Sequence, residues 1–191
     1  MESESFVVLA SRSPRRVELL KQLVADFTVV PADIDETPHS HEDPVSYVKR
    51  LAIEKARAVY MVSNSSAIVI GADTTVDLDG HIFGQPVDDN DAREMLRRLS
   101  GTIHQVHTGV AVLSAAGEQV EVVSSSVTFL DLQPEMIEWY IGTGESAGKA
   151  GSYAIQGHGS ALVASSSGSM TNIIGLPLEE TTRLLGVPAP K

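Results

Sequence analysis

The sequence predicts an α/β fold in which a mixed, elongated sheet is flanked by helices. In the first half of the chain, apolar runs typical of buried strands alternate with stretches of helical periodicity. In the second half, two long β-branched runs follow one another with only a turn between them. Alternation favours parallel strands joined by helices, and adjacent strands favour hairpins, so a single sheet with both kinds of pairing is expected.

Length and composition limit the classes of function. The 191 residues contain no Pro/Gly/Ser-rich linker, so one domain spanning 1–191 is predicted. The formal charge of −11 repels nucleic acid and anionic membranes, which are therefore not expected as partners. The absence of cysteine excludes thiolate catalysis and zinc ribbons. Neither a signal peptide nor an 18-residue apolar span is present, which predicts a cytoplasmic protein.

The elements of the first half are recognised by periodicity and by their first residues. Pro44 suits the first turn of the longest helix. In order, we predict a strand "SFVVLAS", a helix "SPRRVELLKQL", a strand "DFTVVPA", a loop "DIDETPHSHEDP", a helix "PVSYVKRLAIEKARAVYMV" and a strand "AIVIGADTTVDL".

Turn residues separate the predicted strands and helices of the second half. Asp79-Gly80 predicts a hairpin that returns through "HIFGQP", and Ala116-Gly117 predicts another between "HQVHTGVAVLSAAG" and "QVEVVSSSVTFLDL". Asp91 and Glu94 have capping-box spacing in the helix "DDNDAREMLRRLSG", which Gly101 ends. A helix "PEMIEWYIG", a glycine- and serine-rich loop with one strand, and a helix "PLEETTRLLG" complete the chain.

Arginines crowd the start of the first helix. In "ASRSPRR" a serine takes the N-cap position, Pro14 follows, and Arg12, Arg15 and Arg16 flank the first turn. A helix N-terminus favours anions over cations, so these side chains indicate either a bound polyphosphate or salt bridges to surface carboxylates. Spacing alone leaves the two interpretations equally open.

The longest helix places a lysine on its apolar face. Lys55 falls within the stripe formed by Val48, Leu51, Ala52, Val59 and Val62, whereas Arg50 and Arg57 lie elsewhere, as surface charges do. Without other information, snorkelling to the rim is a better explanation for Lys55 than a buried anionic partner.

Carboxylates are grouped in two places. Asp33, Asp35 and Glu36 follow the second strand, and Asp73 stands where the apolar run of the third strand stops. Ligands bind at the carboxyl ends of strands in open α/β sheets, so Asp73 is expected near Ser11 to Arg16. Carboxylates beside arginines and lysine suit Mg²⁺ or Mn²⁺ bridging phosphates. Asp33 is better explained as a solvated loop residue, and none of the six histidines is assigned a chemical role.

A phosphate-loop motif is nearly present in "GTGESAGKA". Counting back from Lys149, the first glycine position holds Thr143, and Ala150 replaces the metal-binding hydroxyl residue. A Walker-type ATPase is therefore a distant alternative.

Seven segments together resemble one family. They are "LASRSPRRVELL", "DIDET", "YVKRLAIEKARAV", "VIGADTTV", "MLRRLSGTIHQVHTGVAV", "KAGSYAIQG" and "NIIGLPLEET", and they resemble the Maf family of nucleoside triphosphate pyrophosphatases in order and spacing. The resemblance runs from about Leu9 to Leu185. It implies an inosine-triphosphatase-like fold and a homodimer. It also implies metal-dependent cleavage of a nucleoside triphosphate between the α and β phosphates.

The same resemblance assigns roles to individual residues. Asp73 matches the family's proton acceptor, with Glu36 and Lys55 as further catalytic groups. Chemistry alone, and not the resemblance, places Mg²⁺ or Mn²⁺ between the carboxylates of Glu36 and Asp73. In this interpretation Arg15, Arg16 and Lys55 neutralise charge on the pyrophosphate leaving group. The side chains expected to bind substrate phosphates are Ser11, Ser13, Arg15, Arg16 and Gln85.

Specificity is implied by three positions. Arg15, Thr74 and Gln156 match the branch that resembles dTTP/UTP enzymes, and the Gln156 amide can pair with the donor–acceptor edge of uracil or thymine. Gln85 departs from the family, in which a lysine precedes this proline. A neutral hydrogen bond contributes about 0.5–1.5 kcal/mol against about 1.5–3 for one to a charged group, so a roughly tenfold weaker contact is expected.

Two roles in the cell are compatible with the resemblance. The first is hydrolysis of dTTP and UTP, including removal of modified nucleotides. The alternative is a non-catalytic nucleotide-binding regulator of cell division, because Maf-like proteins are linked to arrest of septum formation. The presence of Asp73, Glu36 and Lys55 argues for the enzyme.

Overall fold

The computed structural model describes residues 6–187, and the strands in this range form one sheet of seven. The strand order is β2-β1-β3-β5-β6-β7, with β4 paired to the far end of β3. The strands are β1 (Phe6–Ala10), β2 (Phe27–Val29), β3 (Ala67–Leu78), β4 (His81–Phe83), β5 (Ile103–Ser114), β6 (Gly117–Phe129) and β7 (Val163–Ser167).

The sheet contains both kinds of pairing, as predicted. Strand β1 runs parallel to β2 and β3, and the remaining pairs are antiparallel. The parallel register between β1 and β3 ends at Ala10 and Gly71, but β3 continues for seven more residues, six of which pair with β5. The predicted class, a mixed sheet flanked by helices, is therefore confirmed.

Six helices of the described chain cover the sheet. They are α1 (Pro14–Leu20), α2 (Pro44–Tyr60), α3 (Asp89–Leu99), α4 (Pro134–Gly142), α5 (Met170–Ile174) and α6 (Leu178–Leu185). Short 3-10 turns at Ala150–Ser152 and Gly157–Leu162 interrupt the loop before β7. None of the helices within 6–187 is long and apolar enough to cross a membrane.

Two glycines bring the backbone of α2 against the sheet. A Cβ atom on Gly71 of β3 would lie 2.2 Å from the carbonyl oxygen of Ala52, and one on Gly109 of β5 would lie 2.3 Å from that of Val48. Both distances are far below any normal contact, so only glycine allows this approach. The close packing presses the face of α2 that carries Lys55 onto the middle of β3.

The sheet buries apolar side chains on both faces. On the α2 face, Val8 and Val69 pack with the alanines of that helix, and on the opposite face Leu9 and Ile70 pack with α1 and α6. A further core under α3 and α4 is centred on Leu96 and Tyr140. The burial of the central strands on both faces explains their continuous apolar sequence.

Three details differ from the sequence prediction. The N-cap of α3 is Asp88, whose carboxylate accepts the amide hydrogen of Asp91, so the capping box predicted at Asp91 and Glu94 is wrong. Helix α5 was not predicted, because five residues are too short to show a helical period. The β5–β6 turn is occupied by Ala115 and Ala116, while Gly117 already pairs with Ser114.

Candidate active site

A cleft of about 780 Å³ opens beside the carboxyl end of β1. Its walls come from the start of α1, the loop after β2, the middle of β3 and the loop before β7. All the residues that the sequence singled out line this one cleft: Ser11, Ser13, Arg15, Arg16, Glu36, Lys55, Asp73, Thr74, Gln85 and Gln156. Segments that are far apart in sequence therefore converge on a single site.

Asp73 lies in the middle of a strand. The expectation that Asp73 lies at the carboxyl end of this strand is wrong, because β3 continues to Leu78, the last residue of the predicted segment "AIVIGADTTVDL". Asp73 stands two residues beyond Gly71, where the parallel pairing with β1 stops. The end of β1 leaves room beside β3 at this point, which is why Asp73 and Ser11 line the same cleft.

Lys55 joins the two carboxylates predicted to be catalytic. Its Nζ atom donates to Asp73 Oδ1 at 2.6 Å and lies 2.9 Å from Glu36 Oε1. Lys55 is 7% exposed and Asp73 is 6% exposed, so the ammonium does not snorkel to the rim. The preference for snorkelling was wrong because the buried partner of Lys55 comes from a different strand, which helix spacing cannot reveal.

Burial changes the proton affinity of Asp73. Desolvation raises the pKa of the Asp73 carboxyl above its ordinary value, and the nearby charges of Lys55 and Arg16 oppose that rise only in part. Oδ1 accepts the hydrogen bond from Lys55, whereas no donor within residues 6–187 reaches Oδ2. Oδ2 is thus the oxygen available to accept a proton from a reactant.

Arg16 is held in place by neutral acceptors. Its guanidinium donates to the carbonyl oxygen of Gly175 at 2.7 Å, to Thr74 Oγ1 at 2.9 Å and to Ser11 Oγ at 3.3 Å. Burial lowers the pKa of Arg16 from its high ordinary value. In the described part of the chain, neither Arg15 nor Arg16 forms an ion pair, so the salt-bridge interpretation fails for both.

The serines shape the turn that presents these arginines. Ser13 caps α1 by accepting the amide hydrogen of Arg16 at 3.4 Å, and Ser11 Oγ accepts the amide hydrogen of Ser13 at 3.1 Å. Arg15 Nε donates to the carbonyl oxygen of Ile174 at 3.4 Å. Arg12 only meets the fully exposed Asp33 at 3.8 Å, as a solvated pair does. Helix α1 has only seven residues, so its dipole contributes little. The positive charge of this wall therefore comes mainly from the guanidinium groups.

A chain of hydroxyl groups supports Arg16 from behind. Thr108 Oγ1 donates to the carbonyl oxygen of Asn172 at 2.9 Å, which uses its only hydrogen. The 2.9 Å bond between the two threonine hydroxyls must therefore be donated by Thr74. Thr74 Oγ1 is left as an acceptor for Arg16, so the hydroxyl of this predicted specificity residue fixes the guanidinium.

Gln85 and Lys149 lie in neighbouring segments of the wall. Gln85 is exposed to the cleft, and the preceding residue, Gly84, accepts the amide hydrogen of Gly151 through its carbonyl oxygen at 3.1 Å. Lys149 Nζ donates to the carbonyl oxygen of Ala147 at 3.1 Å. Burial, followed by the nearby positive charge of Arg15, lowers the pKa of Lys149. Lys149 thus adds a cation to the cleft wall that also carries the neutral amide of Gln85.

The donor set fits a cation that arrives with a polyphosphate. Glu36 and Asp73 offer carboxylate oxygens, and no cluster of three or more His, Asp or Glu side chains within 6–187 could hold a metal alone. Mg²⁺ is usually bound by one or two carboxylates together with substrate phosphates and water. The residues present agree with that mode.

Two residues of α2 were not recognised from the sequence. Tyr47 donates its hydroxyl hydrogen to the carbonyl oxygen of Glu36 at 2.9 Å, and Arg50 binds Glu42 and the carbonyl oxygen of Thr37. The Arg50 side chain is only 17% exposed, so its description as an ordinary surface charge was wrong. No periodic signal could have found these contacts, because their partners lie in a loop without regular structure.

Sequence comparison finds many proteins similar to this chain. The family model for "Maf-like protein" matches residues 6–187. A dTTP/UTP pyrophosphatase of Myxococcus xanthus is 50% identical over 190 residues, covering 98% of this chain and 96% of that protein. A dTTP/UTP pyrophosphatase of Anaeromyxobacter dehalogenans is 51% identical over 191 residues, covering 96% of both.

Structural comparison agrees with the predicted fold. The Ham1 protein of Staphylococcus aureus matches with a TM-score of 0.51 and 19% sequence identity, covering 66% of this chain and 73% of the other. At that identity the match shows a shared fold and nothing more. The family match over residues 6–187, together with relatives at about 50% identity, shows that the chain belongs to the Maf family.

Proposed function

We propose that this Maf protein hydrolyses nucleoside triphosphates, with dTTP and UTP as preferred substrates, to the monophosphate and pyrophosphate. The observation that carries the proposal is a buried carboxylate, Asp73, bonded to a buried lysine in a cleft with two arginines that lack anionic partners. Relatives that are about half identical over nearly the whole chain bear the name dTTP/UTP pyrophosphatase. Unpaired guanidinium groups suit a polyphosphate, which supplies the missing negative charge.

Asp73 is the proposed proton acceptor. Its raised pKa makes the carboxylate a stronger base than an ordinary aspartate, and its Oδ2 atom is free to receive the proton of an attacking water. Lys55 keeps the carboxylate oriented through Oδ1. The water oxygen then forms a bond to the α phosphorus, and the bond between this phosphorus and the oxygen bridging to the β phosphate breaks.

The cations of the cleft are proposed to stabilise the departing pyrophosphate. Arg16 is fixed by Gly175, Thr74 and Ser11, so it needs little reorganisation when negative charge develops. Arg15 and Lys55 add positive charge along the same cleft. Ser11 and Ser13 maintain the turn from which both arginines project, and Gln85 donates a neutral hydrogen bond to a phosphate oxygen.

Glu36 and Asp73 would hold a divalent cation, Mg²⁺ or Mn²⁺, that enters with the nucleotide. When bound, the cation supplies positive charge to the bridging phosphate oxygens. Lys55 lies between the two carboxylates, and its positive charge offsets the repulsion between them.

Base preference is proposed to depend on Gln156. This amide is exposed in the cleft, where it can donate and accept hydrogen bonds with the edge of uracil or thymine. Thr74 and Arg15 act on the phosphate side of the same pocket. A homodimer, a cytoplasmic location and the lack of nucleic-acid or membrane partners stay predictions from sequence and resemblance.

A panel of nucleoside triphosphates tests the proposal. Each nucleotide is incubated with the protein and Mg²⁺ or Mn²⁺, and pyrophosphate and orthophosphate are measured separately. The proposal expects pyrophosphate, most rapidly from dTTP and UTP. Orthophosphate alone indicates a Walker-type ATPase, and the release of neither product indicates a protein that only binds nucleotides.

A further inference from the structure

The loop that carries Glu36 has little support of its own. Residues 30–43 contain no helix or strand, and the Glu36 side chain is 48% exposed, against 9% for that of Asp73. Ile34 packs against the apolar face of α2 and holds the start of the loop. A carboxylate in such a segment keeps one position only if other groups restrain its backbone, because a free loop residue gains conformational entropy.

Two side chains of α2 hold the two consecutive backbone carbonyl groups of Glu36 and Thr37. The buried Tyr47 donates its hydroxyl hydrogen to the carbonyl oxygen of Glu36 at 2.9 Å, and Arg50 donates through an NH2 hydrogen to the carbonyl oxygen of Thr37 at 3.2 Å. The same helix supplies Lys55 to the Glu36 side chain. Three side chains of α2 therefore restrain Glu36 and the carbonyl group that follows it.

Arg50 is itself held by two carboxylates. Its Nε and NH2 atoms donate to the two oxygens of Glu42, both at 2.7 Å, and its NH1 atom donates to Glu54 at 3.2 Å. Glu42 also accepts the amide hydrogen of His39 at 2.9 Å, which ties the far end of the loop to the same group. The forked pair and the 17% exposure of Arg50 distinguish this contact from a solvated ion pair.

We propose that Arg50 is a positioning residue that holds the Glu36 loop against α2 and so keeps the Glu36 carboxylate at the cleft. The proposal rests on the proposed function only in its prediction for the reaction rate. Its structural part, the restraint of the loop, stands on the contacts of Arg50 and Tyr47.

Arg57 provides a matched control on the same helix. Seven residues, or two turns, beyond Arg50, it forms the same forked pair, with Glu118 at 2.7 and 3.0 Å, but it touches no part of the loop. Both residues therefore carry an arginine–glutamate fork on the outer side of α2. Replacing either one by glutamine removes one positive charge and one fork. The sites differ in exposure, 17% for the Arg50 side chain and 60% for that of Arg57, so the exchange of the loop amides is the readout that reports the loop.

The test compares Arg50→Gln, Arg50→Lys and Arg57→Gln in the full chain. Hydrogen exchange of the amides in residues 35–42 measures the restraint, and kcat for dTTP hydrolysis measures its consequence. We expect exchange to accelerate at least tenfold and kcat to fall about 10–100-fold in Arg50→Gln, because small misplacements of reacting groups have effects of that size. Arg50→Lys is expected to recover part of both, and Arg57→Gln to stay within twofold of the wild type.

A double-mutant cycle shows whether Arg50 acts through Glu36. In a Glu36→Gln background, Arg50→Gln should reduce kcat by less than twofold further, since the carboxylate to be positioned is already absent. An equal loss of kcat in both backgrounds overturns the inference, and so does unchanged loop exchange in Arg50→Gln. If the wild type releases no pyrophosphate, the proposed function fails, and the exchange measurement alone decides the role of Arg50.

Discussion

At the scale of single residues, the site is organised by charges whose partners come from other elements. Lys55 is neutralised by Asp73 and Glu36, whereas the charge of Arg16 is held by neutral oxygens. One cation therefore holds the two carboxylates proposed to be catalytic, and the other stays available for an anion. Arg16 depends on Thr74 for this, because the direction of the hydroxyl chain leaves Thr74 Oγ1 as its acceptor.

Removal of the Thr74 hydroxyl should release Arg16. Thr74→Val eliminates the acceptor of one guanidinium hydrogen bond and leaves the hydroxyl of Thr108 without its donor. A hydrogen bond to a charged group contributes about 1.5–3 kcal/mol, so kcat/KM for dTTP should fall at least about tenfold. Thr74→Ser keeps the hydroxyl and should retain most of the activity. Equal activity of the valine and serine variants would show that the hydroxyl is not needed.

A substitution at Gln85 is expected to raise activity. It is exposed at the wall of the cleft, so a longer side chain has room there. If the amide is a weak phosphate contact, Gln85→Lys should raise kcat/KM up to about tenfold, because a charged donor binds phosphate more strongly. Steady-state rates at fixed Mg²⁺ measure the change. A decrease would mean that the surrounding cleft has adapted to the amide and that Gln85 is not a weakened phosphate contact.

At the scale of elements, helix α2 connects the fold to the site. Gly71 and Gly109 allow its backbone to approach β3 and β5. From that position it supplies Lys55 to the carboxylates of Asp73 and Glu36, and it supplies Tyr47 and Arg50 to backbone carbonyl oxygens of the Glu36 loop. The alignment of this one helix therefore determines several distances in the proposed active site at once.

A methyl group at Gly109 should move that helix. In Gly109→Ala the new Cβ would lie 2.3 Å from a backbone oxygen, which cannot rotate away, so α2 must shift. Overpacking costs about 1–3 kcal/mol, and kcat should fall together with the free energy of unfolding. Urea denaturation and dTTP hydrolysis measure the two effects. Gly142→Ala is the control, since no atom beyond its chain neighbours and its own helix backbone lies within 4 Å of its Cβ position, and both quantities should stay near wild type.

Features that depend on neighbouring residues were predicted from the sequence, and contacts between distant segments were not. Strand β3 and helix α4 were predicted with the observed bounds, because apolar pattern and a leading proline are local signals. The position of Lys55 on the apolar face of α2 was also predicted. Its partner was not, because the distance between Lys55 and Asp73 depends on how closely α2 packs on the sheet. Arg50 was missed because its contacts are made by an irregular loop.

At the scale of the whole molecule, a buried histidine couples stability to pH. His104 is 1% exposed, its Nε2 atom bonds to the Tyr153 hydroxyl at 2.8 Å, and its ring packs edge-on against Phe129. Burial lowers the pKa of His104 to about 4 from an ordinary 6.5. The folded protein therefore excludes a proton that the unfolded chain binds below pH 6.5.

The stabilising effect of the neutral imidazole is complete above pH 6.5 and is lost as the pH falls toward 4. Between pH 7.5 and 5.5 the free energy of unfolding of the wild type should drop by about 1 kcal/mol more than that of His104→Gln. Urea denaturation at the two pH values measures the difference. Equal pH dependence in the two proteins would show that His104 takes up its proton in the folded state.

The release of products from dTTP by the wild type and by Asp73→Asn tests the central claim most directly. With Mg²⁺ or Mn²⁺ present, the wild type should produce dTMP and pyrophosphate in equal amounts. In Asp73→Asn the rate should fall about 10²–10⁴-fold, which is the usual contribution of a general base. Its circular dichroism spectrum should stay that of the wild type. Formation of dTDP and orthophosphate by the wild type, or an unchanged rate in a folded Asp73→Asn, would contradict the account.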